Sequence, residues 1–179
     1  IATTAMELIE KLGEFKNRFS NWGGNENLAT YPFVENVYAP FSPIRRALPM
    51  TNLALITSAG AYIDGTEPFD TTARDGDLSF REIPIEVEAQ DLRYAARGYD
   101  AKFVQEDRNS QIPIDRLLEY EANGVIGKLN NVWWTMNGFM PNAARVAEEL
   151  APKLAERVNR YQCQAVLLVP ASRLCVQTL

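Results

Sequence analysis

Ser172 and Cys175 are the side chains of this sequence best placed, by type and spacing, to do chemistry. They follow the apolar run Ala165-Val-Leu-Leu-Val169 and Pro170, a pattern that reads as a buried strand. Residues just beyond the carboxyl end of such a strand are where open α/β sheets bind ligands and carry out reactions. A helix starting near Ser172 would put Cys175 in its first turn, where the dipole favours a thiolate. The expectation is a lowered thiol pKa, an exposed sulfur and faster alkylation than at Cys163. The chain contains no histidine, so Ser-His and Cys-His catalysis within it are excluded.

Two further strand ends carry small polar residues. Asn52-Leu-Ala-Leu-Ile-Thr-Ser-Ala-Gly60 is an apolar run closing on Thr57, Ser58 and Gly60, and Asn131-Val-Trp-Trp-Thr-Met136 leads into Asn137-Gly138. If both strands are parallel to the terminal one, Thr57, Ser58, Gly60, Thr135, Gly138, Ser172 and Cys175 share one edge of the sheet. The plain alternative is that small residues at these positions only allow tight turns. Asp and Glu residues such as Glu82, Asp100, Asp107 and Asp115 are too dispersed in sequence to form a carboxylate dyad.

Composition bounds what the site can serve. The 179 residues are 46% hydrophobic and 23% charged, enough for one domain with a single core. Lys and Arg number 18 against 23 Asp and Glu, a formal charge of −5, and the only adjacent basic pair is Arg45-Arg46. Sequence-independent nucleic-acid binding, which needs clustered cations, is not expected, and no nucleic-acid partner is assigned. No apolar stretch approaches the roughly 20 residues that span a bilayer, and no signal-peptide pattern opens the chain. A soluble cytoplasmic protein without membrane contact is expected. Cys163 and Cys175 flank the terminal strand and should lie on the order of 20 Å apart, too far to pair. Two distant thiols without histidine make a poor zinc site, so no metal is expected, and no cofactor is assigned. The sequence starts with Ile and ends where a helix should be starting, which suggests part of a longer product.

The elements that must position these residues are legible in outline. Leu8, Leu12, Phe15 and Phe19 mark an amphipathic helix over residues 5–19 that docks on something. Residues 22–49, rich in Gly, Pro and aromatics, read as an ordered arm wrapping the surface. Glu82 to Glu88 alternates at period two, with Pro84 demoting it to an edge strand, and Leu92 to Tyr94 reads as another short strand. Pro113 to Glu121 is a helix ending at Asn123-Gly124. A second helix is capped by Asn142 and kinked or broken at Pro152. Strand, helix and strand in that order imply a right-handed parallel crossover from residues 131–136 to 165–169. The fold expected is a single α/β domain, with a mainly parallel, doubly wound sheet over residues 50–179. Residues 1–49 form its N-terminal helix and extended aromatic arm.

Six ordered pieces also carry a resemblance. They are Pro40-Phe-Ser-Pro-Ile-Arg-Arg-Ala-Leu-Pro49, Leu53 to Gly60 with Glu67-Pro-Phe-Asp70, and Phe80-Arg-Glu-Ile-Pro84. Tyr99-Asp100, then Asp107-Arg-Asn109 with Ile112-Pro-Ile-Asp-Arg-Leu117, and Gly124-Val-Ile-Gly127 follow before the terminal strand. In this order the chain resembles the selenoprotein B family of the glycine, sarcosine and betaine reductases, from about Pro40 to Leu179. The resemblance implies a redox-active selenocysteine or cysteine at the position of Ser172, followed by a Cys-His pair at Cys175 and Val176. It also implies histidines near Ala96 and Gly98. All of these departures fall on the chemistry, because a serine hydroxyl has no accessible redox couple.

The family's reaction is reductive cleavage of an α-substituent through a selenoether, with partner subunits, and it does not transfer directly to this chain. Two readings follow. One is a divergent reductase subunit that binds a small polar substrate through Thr57, Ser58, Gly60, Glu82, Asn109 and Gly138. Cys175 would be its redox residue and Ser172 a hydrogen-bonding group. The other is a catalytically silent binding or assembly subunit, in a homo- or hetero-oligomer. An unrelated enzyme using a loop Asp or Glu and a partner chain stays open beside them.

Overall fold

The computed structural model describes residues 12–24, 28–34, 43 and 45–179. Strand β1 (Asn52–Thr57) is the spine. Its residues alternate between two cores: Leu53 and Leu55 enter one, Ala54 and Ile56 the other. A strand buried on both faces must be apolar at successive positions, which is how this run reads.

On one side β1 pairs in parallel with β5 (Lys128–Leu129) and β6 (Val132–Met136), and on the other with β7 (Ala165–Val169). The edge strand β3 (Phe80–Pro84) runs antiparallel to β6, ending at the proline that cannot donate to a ladder. β2 (Ala61–Ile63) and β4 (Leu92–Tyr94) form a separate antiparallel pair. The sheet is mostly parallel, and the chain is an α/β domain.

The first core is covered by α2 (Lys102–Glu106), through Val104, and by α3 (Ile114–Ala122), through Ile114 and Leu117. The second is covered by Val146, Leu150 and Leu154, on a helix that runs from α4 (Ala143–Arg145) to α5 (Ala151–Arg160). Asn142 caps its start, accepting from the Arg145 amide at 3.3 Å. The break expected at Pro152 is a wider π-type turn over Val146–Leu150, which absorbs the missing amide without ending the helix. The β6 to β7 crossover is present, with β1 lying between the two strands.

Of the amphipathic helix expected over residues 5–19, residues 12–20 form α1, and residues 5–11 lie outside the described residues. Phe15, Trp22 and Tyr31 build a third cluster with Phe139, Ala143, Ala144 and Leu174. The stripe of α1 therefore belongs to this domain's own packing.

One expectation is corrected. The terminal strand reads as buried, yet Val166, Leu167 and Leu168 are 38%, 36% and 43% exposed. β7 is paired only with β1 and forms the edge of the sheet, so its apolar sequence meets no second neighbour among the described residues.

Candidate functional site

Three strand ends meet at the carbonyl of Gly138. The Cys175 thiol donates to it at 2.8 Å and the Ser172 hydroxyl at 3.3 Å, with sulfur and oxygen 3.1 Å apart. Ser58 ties β7 to β1: its amide donates to the Val169 carbonyl, and its hydroxyl accepts from the Ala171 amide at 2.8 Å. The Thr135 hydroxyl accepts from the Ala61 amide at 3.0 Å, and the Gly60 amide donates to the Met136 carbonyl. Thr57 donates to the Gln111 carbonyl at 3.0 Å. Parallel pairing of β6, β1 and β7 puts their carboxyl ends at one edge, and that alone brings these residues together.

The junction is closed. Thr57, Ser58 and Thr135 are fully buried. The glycines are consumed by backbone approach. A Cβ on Gly60 would stand 2.9 Å from the Ala95 carbonyl oxygen, and one on Gly138 would stand 3.1 Å from that of Arg97 and 3.2 Å from that of Ser58. Cys175 does open the short helix α6 (Cys175–Thr178), but it is only 1% exposed, which corrects the expectation of an accessible thiol. The residues on either side of Cys175 are tied to the arm. The Gln177 side chain accepts from the Val34 amide and donates to the Tyr31 hydroxyl, while the Arg173 guanidinium stacks 4.8 Å over Phe33. Desolvation pushes the Tyr31 phenol up to about 12, despite its bond to Gln177.

Tyr99 and Arg97, beside this junction, were not among the candidate site residues. The Tyr99 hydroxyl donates to the Ala59 carbonyl at 2.5 Å, and burial raises its pKa. Asn137 accepts from the Phe139 amide at 2.8 Å and so shapes the turn that presents the Gly138 carbonyl. Arg97 lies 4.1 Å over the Phe139 ring. Asn137-Gly138 was visible as a turn signal and Tyr99 only as part of the Tyr99-Asp100 piece of the resemblance, whereas nothing local marks Arg97. Among the described residues no group of Cys, Asp or Glu could hold a metal ion.

The sequence profile described as Glycine/sarcosine/betaine reductase selenoprotein B matches residues 24–171. The chain belongs to that family. It is 28% identical over 135 residues to the D-proline reductase subunit gamma of Acetoanaerobium sticklandii, covering 75% of this chain and 54% of the relative. It is 26% identical over 157 residues to the glycine reductase complex component B subunit gamma of Symbiobacterium thermophilum, covering 86% and 36%. A sarcosine reductase complex component B subunit beta of Peptoclostridium acidaminophilum is 28% identical over 136 residues, covering 70% and 30%. The match thus spans about half the length of these relatives or less. No solved structure is significantly similar to the chain. The family match stops at Ala171, so Ser172 and Cys175 fall just beyond it.

Two other positions suggested by the selenoprotein B resemblance stand apart from the junction. Glu82, on β3, accepts from the Trp134 indole at 2.9 Å and the Tyr161 hydroxyl at 2.5 Å. Asn109 bonds Asp107 and Asp115, at 3.0 and 2.8 Å, in the turn before α3. There the Arg108 guanidinium grips Asp115 at 2.6 and 3.2 Å and holds its carboxyl below the usual range. A lowered folded-state pKa contributes stability above the ordinary carboxylate value and loses it as pH falls through the lowered one. Because Asp115 is 38% exposed, solvent screens the pair. Asp115→Asn is expected to cost about 1 kcal/mol at neutral pH. Urea titrations should show that cost shrinking as pH falls through the lowered carboxyl pKa, below which the wild-type carboxyl is itself protonated.

Proposed function

We propose that this chain works as one subunit of a selenoprotein B-type reductase, with the junction around Gly138 as its working site. Cys175 is the thiol of that site and Ser172 the adjacent hydroxyl, and the ends of β1 and β6 wall a position for a small polar substrate. The observation that carries this reading is the convergence of Ser58, Gly138, Ser172 and Cys175 at one sheet edge in a chain of this family. The names of the relatives, which describe subunits, support function within an assembly. In this reading the packing around Cys175 must open for the thiol to be reached.

A silent assembly subunit is the second reading. It is favoured by the 1% exposure of Cys175 and by hydrogen bonds that already occupy the junction's polar groups. Alkylation at neutral pH, followed by peptide mass spectrometry, separates the two. Cys163 is partly buried and its thiol pKa is raised by desolvation, so it is a slow internal standard. A working site predicts labelling of Cys175 at least as fast as that of Cys163. Labelling confined to Cys163 in the folded protein would defeat the thiol role and leave the assembly reading.

A further inference from the structure

We propose that Tyr31 is a positioning residue of the Gly138 junction: it clasps the two segments that meet there, so that the arm over residues 28–34 sets how often the Cys175 thiol is uncovered. The inference rests on the reading of Cys175 as the thiol of that site. The two segments are the turn after Gly138 and the short helix α6. At the junction itself the Cys175 thiol donates to the Gly138 carbonyl at 2.8 Å. Leu174 and Phe139, the immediate neighbours of those two residues, lie together in the third cluster with Phe15, Trp22 and Tyr31. A little further along both segments, the Pro141 carbonyl accepts from the Tyr31 hydroxyl at 2.6 Å, and the same hydroxyl accepts from the Gln177 side chain. Tyr31 therefore stands between the two segments and bonds both.

The hydrogen bonds of the clasp form one directed chain. The Val34 amide donates to the Gln177 side-chain oxygen at 2.9 Å, the Gln177 side-chain nitrogen donates to the Tyr31 oxygen, and the single Tyr31 hydrogen goes to Pro141. Tyr31 is only 5% exposed. Loss of its hydroxyl would leave the Pro141 carbonyl and a Gln177 N–H unpaired in a buried place, and opening the segments to water relieves that cost. The helix that would have to open is weakly held by its own structure. With four residues α6 amounts to about one turn, too short to persist alone, and Val176 on it is 68% exposed. Arg173, Leu174 and Gln177 all reach the arm, through Phe33, the third cluster and Tyr31 respectively. A short element held by a few such contacts opens locally well before the whole domain unfolds, so the strength of these contacts governs access to Cys175.

The test follows alkylation of the whole chain by iodoacetamide at neutral pH, with the rates at Cys175 and Cys163 read by peptide mass spectrometry. Tyr31→Phe keeps the ring in the aromatic cluster and removes both hydrogen bonds. The expected result is several-fold faster labelling of Cys175 with the Cys163 rate unchanged. Gln177→Leu breaks the clasp from the other side and should give a similar rise, and the double variant should add little to either. An unchanged Cys175 rate in Tyr31→Phe overturns the proposal, and so do rises that multiply in the double variant, since the two side chains would then act separately. An equal rise in Trp134→Phe also overturns it, because that variant loses a hydrogen bond beside the second core and none in the clasp. Should Tyr31→Phe fail to fold, Gln177→Leu decides by the same criteria. The thiol role of Cys175 is judged separately, by the ratio of the two cysteines in the unaltered protein. A Cys175 that is unlabelled there but reacts in Tyr31→Phe defeats the thiol role and leaves the clasp standing.

Discussion

Trp134→Ala is expected to lower stability by about 3–5 kcal/mol, the usual cost of truncating a fully buried aromatic. Trp134 has no exposed surface, belongs to the second core and stacks edge-on to Tyr161 at 5.5 Å. The truncation opens a cavity between β6 and α5 and removes the indole donor to Glu82. Trp134→Phe separates these contributions, since it keeps most of the volume and loses the hydrogen bond, for about 1 kcal/mol. Urea unfolding of the two variants measures both. Equal losses would mean that the hydrogen bond, rather than packing, holds this part of the sheet.

Gly76→Ala should be nearly as damaging, although Gly76 sits in a loop. Its φ is +84°, and an added Cβ would stand 2.3 Å from the Phe139 carbonyl oxygen and 2.9 Å from the Met140 Cα. Both neighbours are backbone and cannot rotate away, so the loop or the segment after Gly138 must move. A cost of at least about 3 kcal/mol is expected from left-handed strain and overlap together. Gly65→Ala is the matched control: its φ is +78°, with no atom near the added Cβ. It should cost only about 1 kcal/mol, from strain alone. Similar losses for the two would show that the loop does not lean on the Gly138 turn.

Much of the scaffold was legible because its signals are local. The apolar run of β1, the proline ending β3, the Asn142 cap and the helix after Pro113 each depend on a few neighbouring residues. Cys175 and Ser172 were readable as a pair for the same reason, being one helical turn apart. Their environment was not readable. The helix that starts at Cys175 meets arm residues more than 140 positions away, as in the contact of Val34 with Gln177. Glu82 and Asn109 also show the limit of sequence, since polar type at a plausible position says nothing about which donors will occupy it.

The sequence by itself determined that this is an α/β chain of the selenoprotein B kind, lacking histidine and carrying its chemistry-bearing residues after strands. Period-two and helical patterns are written into the chain, because each residue must suit its own local geometry. Only the tertiary structure decided that the strand ends close on the Gly138 carbonyl, that the thiol is buried, and that β7 stands at an edge. An apolar strand reads the same whether it has one neighbour or two, and the sheet order that distinguishes the cases is set by contacts between distant segments.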